Sequence, residues 1–301
     1  MTTSFNAPGP APEPAPVRPG RKLGPIADTV SSSHRAWLEP TRKCYLASGR
    51  TLSDLSLGVL LAKSKLSELL RGVGHYPRWE VIHRLAGELD IPGWPLYRLW
   101  KQAAMDAGKS RDWVDRSTEG TTAVATARSG RPIEHGALCQ MVMDGYLAYA
   151  GVFLPDDTRR IAVDDTFAIL WLCFDEALAS ADIRRYAWNI LRATVKAKAD
   201  YRDERPVLAE AAFDTVALRD ARPEEQPAQL AESLELFTAI SRLPDAQLDV
   251  MVLRRLCGFP PEHVSDLLGI PLAAVRSDER HANRFLDDTV ELPPPTGGPT
   301  P

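Results

Sequence analysis

The sequence is poor in the features that mark membrane, secreted and metal-bound chains. It has no apolar run of about eighteen residues, roughly the length a membrane-crossing helix requires. Its amino terminus has no basic stretch leading into an apolar core, so no signal peptide is expected and the cytoplasm is the expected setting. Its cysteines, Cys44, Cys139, Cys173 and Cys257, stand far apart, without a C-x-x-C pair or neighbouring histidines. Zinc ligation needs closely spaced ligands, so no metal is expected and the thiols read as buried and reduced.

Catalytic signatures are missing too. The sequence contains no G-x-x-x-x-G-K-[ST], no G-x-G-x-x-G after a strand, no H-E-x-x-H and no G-x-S-x-G. His34, His75, His83, His135, His263 and His281 are scattered. The acidic neighbours Asp156-Asp157 and Asp164-Asp165 suit helix starts, where carboxylates offset the helix dipole, better than acid–base work. Neither an enzyme nor a cofactor is expected.

What is present is an ordinary folded composition, 44% apolar over 301 residues, long enough for more than one domain. The net charge of −4 hides an asymmetry. Residues 31–110 hold 12 Lys+Arg against 7 Asp+Glu, and residues 205–301 hold 9 against 16. A polyanion, if one is bound, would meet the early segment. Of the 25 prolines, seven lie in residues 1–30 and five in 292–301, where few apolar groups offset chain entropy. Residues 1–32 and 289–301 therefore read as disordered Pro-rich tails. Between them apolar residues recur at three and four, so the expected class is all-α. Three helical blocks are expected at 33–108, 133–213 and 229–288, joined by linkers at 109–132 and 214–228.

In the first block, Pro40 suits a helix start and Gly49 a helix end. Thr51 and Asp54 form a capping-box pattern for a helix carrying Leu52, Leu55 and Val59. A turn at Leu60–Leu61 leads to Lys63–Leu70, whose inward stripe is Leu66, Leu69 and Leu70. Lys63, Ser64, Lys65, Ser67, Glu68 and Arg71 are left facing outward. Helices over Trp79–Leu89 and Pro95–Ala107 complete five. A polar, basic helix of this kind fits the major groove, with amino-terminal residues at base edges.

The runs Thr51-Leu52-Ser53-Asp54-Leu55 and Lys63-Ser64-Lys65-Leu66-Ser67-Glu68-Leu69-Leu70-Arg71-Gly72 resemble the phage-repressor-type helix-turn-helix of bacterial regulators. The resemblance implies base-edge positions for Lys63, Ser64, Ser67 and Glu68, and phosphate positions for Arg50, Thr51 and Arg71. It also implies a homodimer on a two-fold site of double-stranded DNA. The sequence departs from the pattern at Leu60, where the turn usually has a small residue, and at Ala62, where the recognition helix usually has a Ser/Thr cap.

The second block carries Val163, Phe167, Leu170, Trp171, Phe174 and Leu178 at helical spacing, read as one long helix. Further on, Tyr186 and Trp188 precede Lys196 and Lys198, either a base-stacking surface or a packed tryptophan beside a solvated helix end. In the third block a helix over Leu230–Leu243 ends at Pro244, and Asp245 caps the next. Pro261 opens a short helix, Gly269 supplies a tight turn, and Pro271 starts a last helix with Val275, Ala282, Phe285 and Leu286.

Ile240, Leu243-Pro244, Gln247, Val250, Leu253, Leu268-Gly269-Ile270 and Val275-Arg276-Ser277 resemble the fourth region of extracytoplasmic-function sigma factors. Asp164-Asp165-Thr166-Phe167, Leu170-Trp171 and Tyr186-Ala187-Trp188 are similar to their second region. The resemblance implies polymerase contact through Asp164, Asp165, Phe167 and Trp171, and promoter opening near Trp188–Lys198. It implies promoter reading by Arg276, Ser277 and Arg280. Asp278 and Glu279 depart from the pattern, and the acidic balance of this block opposes phosphate contact.

The expectation is a DNA-binding transcriptional regulator that reads DNA with the first block and contacts RNA polymerase core with the rest. A divergent sigma factor directing initiation, and a partner-sequestering protein that binds no DNA, are the alternatives.

Overall fold

The computed structural model describes residues 23–121, 130–202, 205–207 and 238–289, and they form an all-α fold, as expected. The parts of the expected tails before residue 23 and after 289, the linker 214–228 and the start of the third block at 229–237 lie outside the described residues. Residues 23–31, expected within the disordered first tail, instead pack on the first core through Leu23, Ile26 and Val30, because these apolar groups gain burial there.

Helix α1 covers Ser32–Ala47, starting well before the expected Pro40, which lies inside it. Two local facts override the proline. The Ser31 hydroxyl accepts the amide of His34 and caps the helix, and Trp37 and Leu38 on the added turns are wholly buried. Their burial offsets the one intrahelical bond that Pro40 cannot make. Burial also holds the His34 imidazole down at about 4, stacked 5.0 Å from Trp37.

Helix α2, Leu52–Val59, opens on Thr51 with both halves of the capping box formed. Helix α3, Lys63–Leu70, has no side-chain cap, since Ala62 offers no acceptor. Leu60 joins them in the left-handed region at φ 56, with its side chain 77% exposed. A branched residue there is strained and gains no burial. Leu60→Gly is therefore expected to stabilise the first core by about 1 kcal/mol, read as a higher urea midpoint. A lower midpoint would mean that Leu60 makes a contact the fold needs.

Helices α4 (Trp79–Glu88) and α5 (Gly93–Asp106) follow. The expected linker from 109 is then interrupted by helix α6, Arg111–Thr118. Ser110 caps it, Val114 is buried, and the Ser117 hydroxyl accepts the Trp79 amide at 2.7 Å. The serine that suggests a loop is a helix start, a role serine serves equally well.

Helices α7 (Ile133–Phe153), α8 (Asp156–Leu172), α9 (Phe174–Ala179) and α10 (Ile183–Lys198) come next. The expected single helix through Leu178 breaks at Cys173, where the backbone leaves helical geometry. Phe174 buries on the new axis with Asp175 and Glu176 in its first turn, and Leu178 is exposed. A short antiparallel pair, β1 (Tyr201–Arg202) and β2 (Arg205–Pro206), follows α10.

Helix α11, Asp245–Met251, runs on into a π-helical turn over Val252–Leu256. Asp245 does not cap it. Pro244 holds that position, and the Asp245 carboxylate instead pairs with Lys196 on α10 at 2.5 Å. Helix α12 (Pro261–Leu268) and helix α13 (Leu272–Thr289) form a helix-turn-helix. Gly269 turns between them at φ 62, and any Cβ there would collide with the backbone nitrogen of Arg185 on α10.

The described helices share two cores. One joins α1 to α6 around Trp37, Leu66, Leu70, Ile82, Leu85 and Trp100. The other is continuous from Leu138 to Leu286, so α7–α10 and α11–α13 pack as one body. Ala168, Ile169 and Leu172 of α8 join the first core and tie the two bodies together.

Candidate nucleic-acid interface

At the amino-terminal turn of α3, Lys63, Ser64 and Lys65 are all exposed. Lys63 makes no ion pair among the described residues. Lys65 lies 2.7 Å from Glu68, one turn on, but both side chains are well solvated and such a pair is worth little. Ser67 and Glu68 are half-buried. Helix α2 precedes it, and the Thr51 hydroxyl and N–H at its cap keep the Asp54 carboxyl below its usual range.

Other residues expected at phosphates have work inside the fold. Arg50 donates through one nitrogen to the Glu88 carboxylate at 2.7 Å and to the Glu88 carbonyl at 2.8 Å, latching α2 to α4. Gly58 leaves room for that carboxylate, which a side chain would displace. Arg71 is half-buried, its Nε without a hydrogen-bond partner and packed beside Gly24, while its carbonyl accepts the Ala27 amide at 3.0 Å. Of the basic residues expected at DNA in the first block, the exposed ones are thus Lys63 and Lys65, on the first turn of α3.

Helix α13 presents a second basic face. Arg276 and Arg280 are exposed, and Ser277 is half-buried between them. Arg276 meets Glu262 only loosely at 3.6 Å, with both side chains mostly solvated. Arg284, four residues beyond Arg280, is exposed as well, so three arginines recur at one-turn spacing. The spacing is visible in the sequence, but the surrounding aspartates mask it. Glu279 does not oppose this face, because it turns inward to pair with Arg254 at 3.1 Å.

Of the residues expected at polymerase, Asp164, Asp165 and Trp171 meet the first body, and Phe167 belongs to the second core. Asp164 meets Arg98 of α5 at 3.2 Å. Asp165 is nearly inaccessible, lying 3.2 Å from Lys198 and 3.5 Å from Arg98, and burial pushes its carboxyl up against their pull. Phe167 is buried and stacked 5.9 Å from Tyr146, and Trp171 lies between Trp94 at 5.8 Å and His135 at 5.7 Å. Between α5 and α8 this is a cation–carboxylate and tryptophan–tryptophan seam.

Sequence reasoning missed the buried network that joins α11 to α7 and α10. Asp249 is 1% exposed. It accepts the Tyr149 hydroxyl at 2.7 Å and the Trp188 indole N–H at 2.8 Å, and it pairs with Arg192 at 2.6 Å. Burial pushes its carboxyl up despite these donors, and raises the Tyr149 hydroxyl well above its ordinary range. Trp188 is therefore a packed residue. Lys196 and Lys198 are each paired with an aspartate. The one sequence signal is a lone carboxylate inside the apolar run Leu248–Leu253.

Residues 233–282 match the family model described as Sigma-70, region 4. That region is a DNA-binding, non-catalytic helix-turn-helix element of sigma factors, so the match supports a sigma-like carboxy-terminal part, interaction with DNA and RNA polymerase, and a role in transcription. No curated protein and no solved structure matches the chain. Among the described residues no helix is long and apolar enough to cross a membrane.

Proposed function

We propose that this chain is a sequence-specific DNA-binding regulator of transcription that reads its site with α3 and meets RNA polymerase through its sigma-like part. The observation that carries this reading is the exposed Lys63-Ser64-Lys65 turn at the start of α3, on a helix pair packed through Leu55, Val59, Leu66 and Leu70. Donors at that end of a helix reach base edges once the helix lies in the major groove, and lysines nearby neutralise phosphates. Ser67 and Glu68 border the same surface, whereas Arg50, Thr51 and Arg71 hold it in position. Two copies on a two-fold site, one helical turn apart, are the expected arrangement.

The exposed Arg276, Arg280 and Arg284 favour a second reading, a sigma factor whose α13 reads promoter DNA. One set of experiments separates the two. A duplex selected from a random library is titrated with the full chain across a salt series, and the same chain is added to core polymerase on templates carrying that duplex. The proposal expects affinity to fall linearly with salt on logarithmic axes, and expects no transcripts without another sigma factor. Transcripts from core polymerase and this chain alone would replace the first reading by the second.

A further inference from the structure

Helices α1 and α10 both pack on α8 and leave between them a cleft of about 440 Å³. Small-molecule sites usually measure roughly 300–1,000 Å³ and favour seams between domains and between helices. This cleft lies at such a seam, since α1 belongs to the first core and α10 to the second. Its walls run from Ser32 to Lys43 on α1, about 16 Å of helix at the usual rise per residue. Ala36, Pro40, Ile169, Ile190, Ala193 and Ala197 make the walls largely apolar. The two alanines of α10 keep the cleft open where a larger residue would fill it.

The charges around the cleft identify the class of guest. Arg35 is paired with Glu39 at 3.3 Å, Lys43 with Glu176 at 2.9 Å, and Lys198 with Asp165 at 3.2 Å. Every charged side chain on the walls therefore has its counter-charge already in place. The Lys198–Asp165 pair is largely buried, so a charged guest beside it would have to break that pair or leave its own charge uncompensated. The other two pairs are solvated and leave no net charge to attract one. On the floor, burial pushes the Cys173 thiol up to about 11 and raises the Tyr186 hydroxyl, so both are neutral near pH 7. Asn189 and Thr194, which also line the cleft, make no side-chain hydrogen bonds among the described residues. They are available to a carbonyl or hydroxyl.

We propose that this cleft binds an uncharged, elongated and largely apolar small molecule carrying one or two neutral hydrogen-bonding groups. A guest there touches both bodies of the protein at once and stabilises their docked arrangement by mass action. The inference does not depend on which helix reads DNA, because none of the lining residues belongs to α3 or α13.

The test titrates the full chain with Nile red, a neutral apolar dye, and in parallel with anilinonaphthalene sulfonate, an anionic one. Saturable binding of one Nile red per chain is expected, with the sulfonate at least about tenfold weaker. Ala193→Phe and Ala197→Leu, at exposed positions on the cleft wall, are each expected to raise the Nile red Kd by about tenfold or more while helical circular dichroism is unchanged. Ala181→Phe, exposed outside the cleft, is expected to leave it unchanged. The proposal is overturned if Nile red binding does not saturate, if a folded cleft variant binds as tightly as the parent, or if the sulfonate binds as well as Nile red.

Discussion

Asp249→Ala is expected to destabilise the body formed by α7–α13 by about 3–5 kcal/mol, the cost of breaking a buried ion pair from one side. The residue is 1% exposed and collects three donors. Deleting it strands the Arg192 guanidinium, whose Nε already lacks a partner, and orphans the Tyr149 hydroxyl and the Trp188 indole N–H. Most of the loss comes from that stranding rather than from attraction within the intact pair. Burial pushes the Asp249 carboxyl up even beside Arg192, so desolvation is already opposing the charged form. Tyr149→Phe removes one neutral donor and is expected to cost only about 0.5–1.5 kcal/mol. Urea unfolding followed by helical circular dichroism measures both. Equal costs for the two variants would show that the network does not act through its charge.

The second large effect concerns DNA. Lys63→Glu combined with Lys65→Glu is expected to weaken binding to a selected duplex about a hundredfold and to reduce the slope of log affinity against log salt by about 2. Each lysine that meets a phosphate releases a counterion, and each reversal adds repulsion. Both side chains are solvated and Lys65 gives up only a surface pair with Glu68, so the fold is expected to be unaffected. Arg276→Glu combined with Arg280→Glu is the matched comparison on α13. If that pair abolishes binding and the lysine pair does not, α13 is the reading helix and α3 is not.

Local features are legible in the residue pattern alone. Thr51 and Asp54, three residues apart, announce the capping box, and Gly269 announces the turn into the last helix. The inward stripe Leu66, Leu69 and Leu70 is equally readable from its spacing. Each depends on neighbours within one or two helical turns, where sequence distance and spatial distance agree. Pro40 and Ser110 mislead because their local preferences admit two outcomes. A proline can open a helix or be carried inside one, and a serine can sit in a loop or cap a helix. Burial of Trp37 and Leu38 decides the first, and burial of Val114 and Ser117 the second.

The candidate site follows the same division. That α3 presents lysines and serines is visible in its residue pattern, but their competing partners are not. Arg50 is held by Glu88 and Glu279 by Arg254, across helices far apart in the chain. The resemblance to sigma factors turns Asp164, Asp165 and Trp171 toward a partner protein, whereas they face Arg98 and Trp94 of the same chain.

By itself the sequence determined an all-α protein with a sigma-like carboxy-terminal part and a basic early segment, because helix period, capping and charge are properties of short stretches. Only the tertiary structure decided that the chain gathers into two bodies, that one buried carboxylate holds α11 to α7 and α10, and that a neutralised cleft lies along the seam. Those outcomes depend on desolvation, and whether a charge is stripped of water is settled by helices that arrive from elsewhere in the chain.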